Sequence, residues 1–76
     1  MGKCFIVIGP NCWGKGSTKR EAKRNAKREA PSWAKRPGTK CVVYEAPDSA
    51  YVDEMGAICA PITKLHECVR LGEEKL

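Results

Sequence analysis

The chain reads as a single α+β domain. The expected architecture is a small antiparallel sheet of three to four strands, with one basic helix packed across it and a short C-terminal helix, in the order β-β-α-β-β-α. Three observations predict it. Short apolar runs at Lys3–Ile8 and Lys40–Ala46 are bounded by turn-forming residues. Between them Ala22, Ala26 and Ala30 recur every fourth residue, a helical and not a strand period. The length, 76 residues, is that of one small domain, 1–76, which buries only about 60% of the surface of its unfolded chain.

The elements follow in order. Phe5, Ile6, Val7 and Ile8 form a continuous apolar run, which suggests a strand buried on both faces. Gly9-Pro10-Asn11 is a turn signal, and Cys12–Lys15 can return as the second strand of a hairpin. Gly14 and Gly16 are expected to permit a sharp turn into the helix. Thr18 is the expected N-cap, with Glu21 placed to complete a capping box. At 100° per residue, Ala22, Ala26, Ala30 and Trp33 fall within about an 80° sector. Pro31 argues against a continuous helix as far as Trp33. That tryptophan is expected to cover the helix end from a following turn.

Ala34–Lys40 reads as a basic turn and Lys40–Ala46 as the next strand. Pro47-Asp48-Ser49 forms a turn. Ala50–Ala60 is expected to return as one strand, disturbed by a bulge or tight turn at Met55-Gly56. Pro61 can open a final helix whose apolar face is Ile62, Leu65, Cys68 and Val69, with Gly72 ending it.

Charge is unevenly distributed. Residues 1–40 carry eleven Lys/Arg against two Asp/Glu, a balance of +9, whereas residues 41–76 carry three against seven, a balance of −4. Such asymmetry suggests a basic face for a polyanion. Its centre is the helix, where Lys19-Arg20, Lys23-Arg24 and Lys27-Arg28 repeat every four residues. These six cations would cover the side opposite the alanines along about 15–20 Å. Lys19 and Arg20 oppose the helix dipole by a few tenths of a kcal/mol each, a local conflict that points to a use for the charges. Lys15, Lys35 and Arg36 are expected to extend the patch, and Trp13 to offer a surface on which an unpaired base can stack. The backbone of DNA or RNA is therefore the leading partner. An acidic protein partner is the alternative.

Other chemistries find less support. Gly9–Lys15 matches G-x-x-x-x-G-K, but Gly16 stands where a magnesium-binding Ser or Thr belongs. His66 is the only histidine, and adjacent Asp53 and Glu54 would point to opposite faces of a strand, so no catalytic residues are assigned and no enzyme is expected. The five cysteines form no CxxC pair, and no metal or other cofactor is expected. Cys4, Cys41 and Cys59 read as small buried hydrophobes. No segment approaches the ~18 apolar residues of a membrane span. A cytoplasmic location and a shared surface, such as a homodimer, are the expectations.

The run Gly16-Ser17-Thr18-Lys19-Arg20-Glu21-Ala22-Lys23-Arg24-Asn25-Ala26 resembles the start of the helix in HicB-type antitoxins. That family's pattern is approximately G-x-T-x-x-E-A-x-x-N-A, matched at Gly16, Thr18, Glu21, Ala22, Asn25 and Ala26. The resemblance implies a helix lying on an antiparallel sheet and, in that family, neutralisation of a small RNA-cleaving toxin, so an antitoxin-like inhibitor is a further alternative. The strongly cationic exterior of the helix is this chain's own. Trp13–Thr18 together with Tyr51–Gly56 is similar to small uncharacterised bacteriophage-encoded proteins, which implies a phage origin and a host-cytoplasm location.

Overall fold

The computed structural model describes residues 2–36, 38–54, 56–60 and 67–76. Its main sheet has four antiparallel strands: β1 (Lys3–Gly9), β2 (Cys12–Gly16), β3 (Lys40–Pro47) and β6 (Val69–Lys75), in the spatial order β2-β1-β3-β6. Helix α1 (Lys19–Glu29) follows β2 directly. A separate two-stranded ribbon is made by β4 (Tyr51–Val52) and β5 (Ile58–Cys59).

The apolar run of β1 is buried on both faces, and alternation sorts its side chains. Val7, with Phe5 partly buried beside it, meets Ala22, Ala26, Ala30 and Ala34 together with Cys41 and Val43. Cys4 and Ile6 turn the other way, into a cluster with Ala46, Ala50 and Val52. The sheet is thus the middle layer of three, between α1 and the β4–β5 ribbon. Ile6, Val7 and Val43 are fully buried, each stabilising the fold by about 1.5–3 kcal/mol on area grounds.

The hairpin between β1 and β2 turns on Pro10-Asn11, with Asn11 in the left-handed region at φ 54°, where asparagine is better tolerated than most residues. Thr18 caps α1 as expected, its Oγ1 accepting from the Glu21 N–H at 3.1 Å. The Glu21 carboxylate accepts from the Ser17 hydroxyl at 3.2 Å instead of from the Thr18 N–H, so the reciprocal half of the expected capping box is not formed. The helix stops at Ala30, immediately before Pro31, and a 3-10 turn (Ser32–Lys35) follows. That change of pitch corrects the expectation for Trp33. Ala34 takes the buried place, while Trp33 is 53% exposed.

The expected C-terminal helix is not present in the described residues. Pro61, Ile62 and Leu65 lie outside them, and Val69–Lys75 is a strand. The open edge of β3 supplies backbone partners from Lys40 to Glu45, and this pairing overrides the local pattern of Cys68 and Val69. Gly72 does not end a helix. It sits within β6 at φ 133°, next to a register shift in which Val43 opposes Gly72 and Tyr44 opposes Arg70, so Leu71 is the extra residue of a bulge. Cys68 packs, partly buried, against the Cys4–Ile6 cluster, in line with the core position expected for it.

Ala50–Ala60 is likewise not one strand. Tyr51 pairs with Cys59 and Val52 with Ile58, and the turn between them is held by Asp53, whose Oδ1 accepts from the Ala57 N–H at 2.9 Å. The ribbon folds back on itself because its apolar residues are needed over the Cys4–Ile6 face.

All five cysteines are free thiols. Burial pushes the thiols of Cys4, Cys12 and Cys41 above their ordinary range, outweighing nearby Lys15 at Cys4 and Lys23 at Cys41. Mass-resolved alkylation of native protein at mildly alkaline pH should therefore modify the half-buried Cys59 and Cys68 first and leave those three until the protein unfolds.

Candidate nucleic-acid interface

The position of α1 is set by two glycines. The helix lies on β2 so closely that a Cβ at Gly14 would overlap the backbone at Ala22 and Ala26 and stand 2.8 Å from the Asn25 carbonyl carbon. A Cβ at Gly16 would stand 2.7 Å from the Ala22 nitrogen. Both residues belong to β2, not to a turn into the helix. They are required because small residues on both elements let the axes approach. The G-x-x-x-x-G-K run is correspondingly a hairpin, with Gly14 and Lys15 inside a strand.

Asn25 fixes the same contact from the side. Its Nδ2 donates to the Lys15 carbonyl at 2.7 Å, so the helix covers part of the outer edge of β2. Arg28 Nη2 donates in turn to Asn25 Oδ1 at 2.9 Å. Replacement of Asn25 by Ala removes the donor and leaves Arg28 without this anchor. A loss of about 1–2 kcal/mol in urea unfolding is expected.

With this face fixed, the helical repeat sorts the six cations into two rows. Lys19, Lys23 and Lys27 lie along one flank, and Arg20, Arg24 and Arg28 lie along the next, each step rising about 6 Å. The first two lysines are engaged by β6. Lys23 Nζ is 2.5 Å from Glu74 Oε1 and Lys19 Nζ is 3.5 Å from Glu74 Oε2. The hydrogen bond from Lys23 leads the causes that hold the Glu74 carboxyl below the ordinary carboxylate range. Because the folded-state value is the lower one, this contribution to stability is present above the ordinary carboxylate pKa. It fades as pH falls through the folded-state value. The Glu74→Gln variant should accordingly show a weaker dependence of melting temperature on pH between pH 5 and 3 than the parent chain.

Among the described residues, the side chains of Arg20, Arg24 and Lys27 make no hydrogen bond or ion pair. They and Arg28 are exposed. Lys35 and Arg36 are also exposed, at the end of the 3-10 turn that follows α1. Lys15 is not part of this surface. It alternates with Gly14 and Gly16 and so turns to the opposite face of the sheet, where its ammonium donates to the carbonyls of Asp48 and, at 2.8 Å, Ala50. Sequence spacing alone gave no sign of either Glu74 or the two carbonyls that engage Lys15, because the partners lie more than 30 residues away.

Trp13, 39% exposed, lies on the edge strand β2 and alternates with Cys12 and Gly14, so like Lys15 it turns to the sheet face away from α1. On one side a cleft between β2 and α1 is lined by Trp13, Asn11, Asn25, Arg28 and Glu29. On its other side lies a second depression that includes Asp53 and Glu54. Trp13 and Arg28 stand fifteen residues apart in the sequence, and the fold brings both to the lining of one cleft. No group of three or more potential metal ligands occurs among the described residues, and His66 lies outside them. No helix among the described residues is long and apolar enough to cross a membrane. No protein-family model, curated protein or solved structure matches the chain.

Proposed function

We propose that this chain is a small non-enzymatic protein that binds nucleic acid through the exposed flank of α1. The carrying observation is the row of Arg20, Arg24 and Arg28, with Lys27 beside it. These side chains are held outward by a helix whose opposite face is locked to β2, and the row is not drawn into the Glu74 pair. Lys35 and Arg36 extend the surface beyond the helix. Regular cations without a fixed base-reading geometry favour phosphate contact over sequence readout. A cytoplasmic site of action fits this reading, and the sequence resemblance to phage-encoded chains favours the host cytoplasm.

The test is a gel-shift or anisotropy titration against mixed DNA and RNA over a range of salt concentrations. With four helix cations on phosphates, log affinity should fall against log salt with a slope of about −3 to −4. The absence of salt-sensitive binding to any nucleic acid removes the reading.

One observation supports a second reading, an acidic protein partner. The Lys19–Lys23 flank already accepts a carboxylate from Glu74. A stoichiometric partner retained from lysate after nuclease treatment, with no nucleic-acid binding by the purified protein, favours it.

A further inference from the structure

We infer that the ligand is a single strand, one of whose bases leaves the backbone path along the arginine row and stacks on Trp13. This inference rests on the nucleic-acid reading and narrows its substrate class. The first support is the width of the available charge. Glu74 engages Lys19 and Lys23, leaving a narrow stripe of Arg20, Arg24 and Arg28 with only Lys27 of the lysine flank beside it. Its step of about 6 Å per helical repeat is comparable with the spacing of successive phosphates on an extended strand.

The second support is the cleft at the end of that stripe. Arg28, the last arginine, and Trp13 line one depression that wraps the edge of β2, Arg28 from the helix side and Trp13 from the opposite face of the sheet, and Arg28 is bonded to Asn25. A paired base in a duplex is stacked on its neighbours and cannot lay its face on an indole, whereas an unpaired base can.

The third support is the sign of the surroundings. Glu29 shares the cleft with Arg28, Lys15 lines it with its ammonium held by the Asp48 and Ala50 carbonyls, and Asp53 and Glu54 lie on the far side of Trp13. These carboxylates disfavour a phosphate over the indole and leave its surface to an uncharged base. The phosphates stay on the arginine side.

The experiment uses the full chain carrying Trp33→Phe, a substitution at an exposed position that leaves Trp13 as the only tryptophan. The probes are a fifteen-nucleotide oligothymidylate, the same strand with abasic residues, and a mixed-sequence duplex of equal length. Trp13 emission should be quenched saturably by the oligothymidylate. The abasic strand, equal in charge, should bind about 10-fold more weakly and quench little. Trp13→Ala should weaken oligothymidylate binding about 10-fold and leave abasic binding unchanged, with circular dichroism confirming the fold. Trp13→Phe should retain most of the affinity. Equal affinity for duplex and single strand with unquenched Trp13 overturns the inference and leaves the nucleic-acid reading standing. Failure of all three probes to bind overturns both.

Discussion

Gly14→Ala should destabilise the domain by about 3 kcal/mol or more, at the upper end of what single substitutions do. The added methyl has no space on the helix side of β2. The nearest atoms are backbone groups of α1 at Ala22, Asn25 and Ala26, which cannot rotate away as a side chain tip can. The helix must lift, and lifting it uncovers Val7, Cys12 and Val43. In a domain of this length, a melting temperature lower by at least about 15 °C is expected. Gly16→Ala should also destabilise, by less than Gly14→Ala, because its methyl would meet the Ala22 nitrogen at 2.7 Å and the helix-fixed Glu21 Cβ at 2.8 Å, a smaller overlap than at Gly14. Equal melting temperatures for the parent chain and Gly14→Ala would mean that the helix does not seat on β2 in this way.

The triple reversal Arg20→Glu, Arg24→Glu, Arg28→Glu should lower nucleic-acid affinity at least 100-fold at low salt and flatten the slope of the salt plot by about 2 to 3. The same reversal of Lys19 and Lys23 should have a smaller effect on binding and a larger one on stability, because those lysines meet Glu74. The arginine triple should remain folded. Its positions are exposed, and a carboxylate at position 20 is favoured by the helix dipole. A uniform response to both sets would indicate that the helix acts as an undivided cationic surface.

Local physics was legible in the sequence. The cap at Thr18, the alanine stripe and the stop before Pro31 are set by neighbours within four residues, and each is found where expected. The doubly buried β1 followed from its unbroken apolar run. What could not be read was decided across the chain. Val69–Lys75 carries no strong strand alternation, and only the vacant side of β3 makes it a strand. Gly14 and Gly16 announced flexibility, whereas their role is to be thin. The candidate site shows the same division. The spacing of its cations was visible from the start, but the separation of lysines from arginines required knowing that Glu74 arrives beside Lys23 from 51 residues away. Nearness to α1 in sequence points Lys15 toward the patch, yet strand alternation sends it to the other side of the sheet.

That late arrival of β6 has a consequence for how the chain folds. The β1–β2 hairpin and α1 are contiguous over residues 3–29 and can assemble from short-range contacts soon after synthesis. The outer side of β3 has no such local partner. It stays open, with backbone donors and acceptors exposed, until residues 69–75 leave the ribosome. Strand β6 is therefore both a lock on the lysine flank and the cover for β3, and it moves the open edge of the sheet to a bulged, charge-rich strand. Chains stopped short of it should be the ones that self-associate.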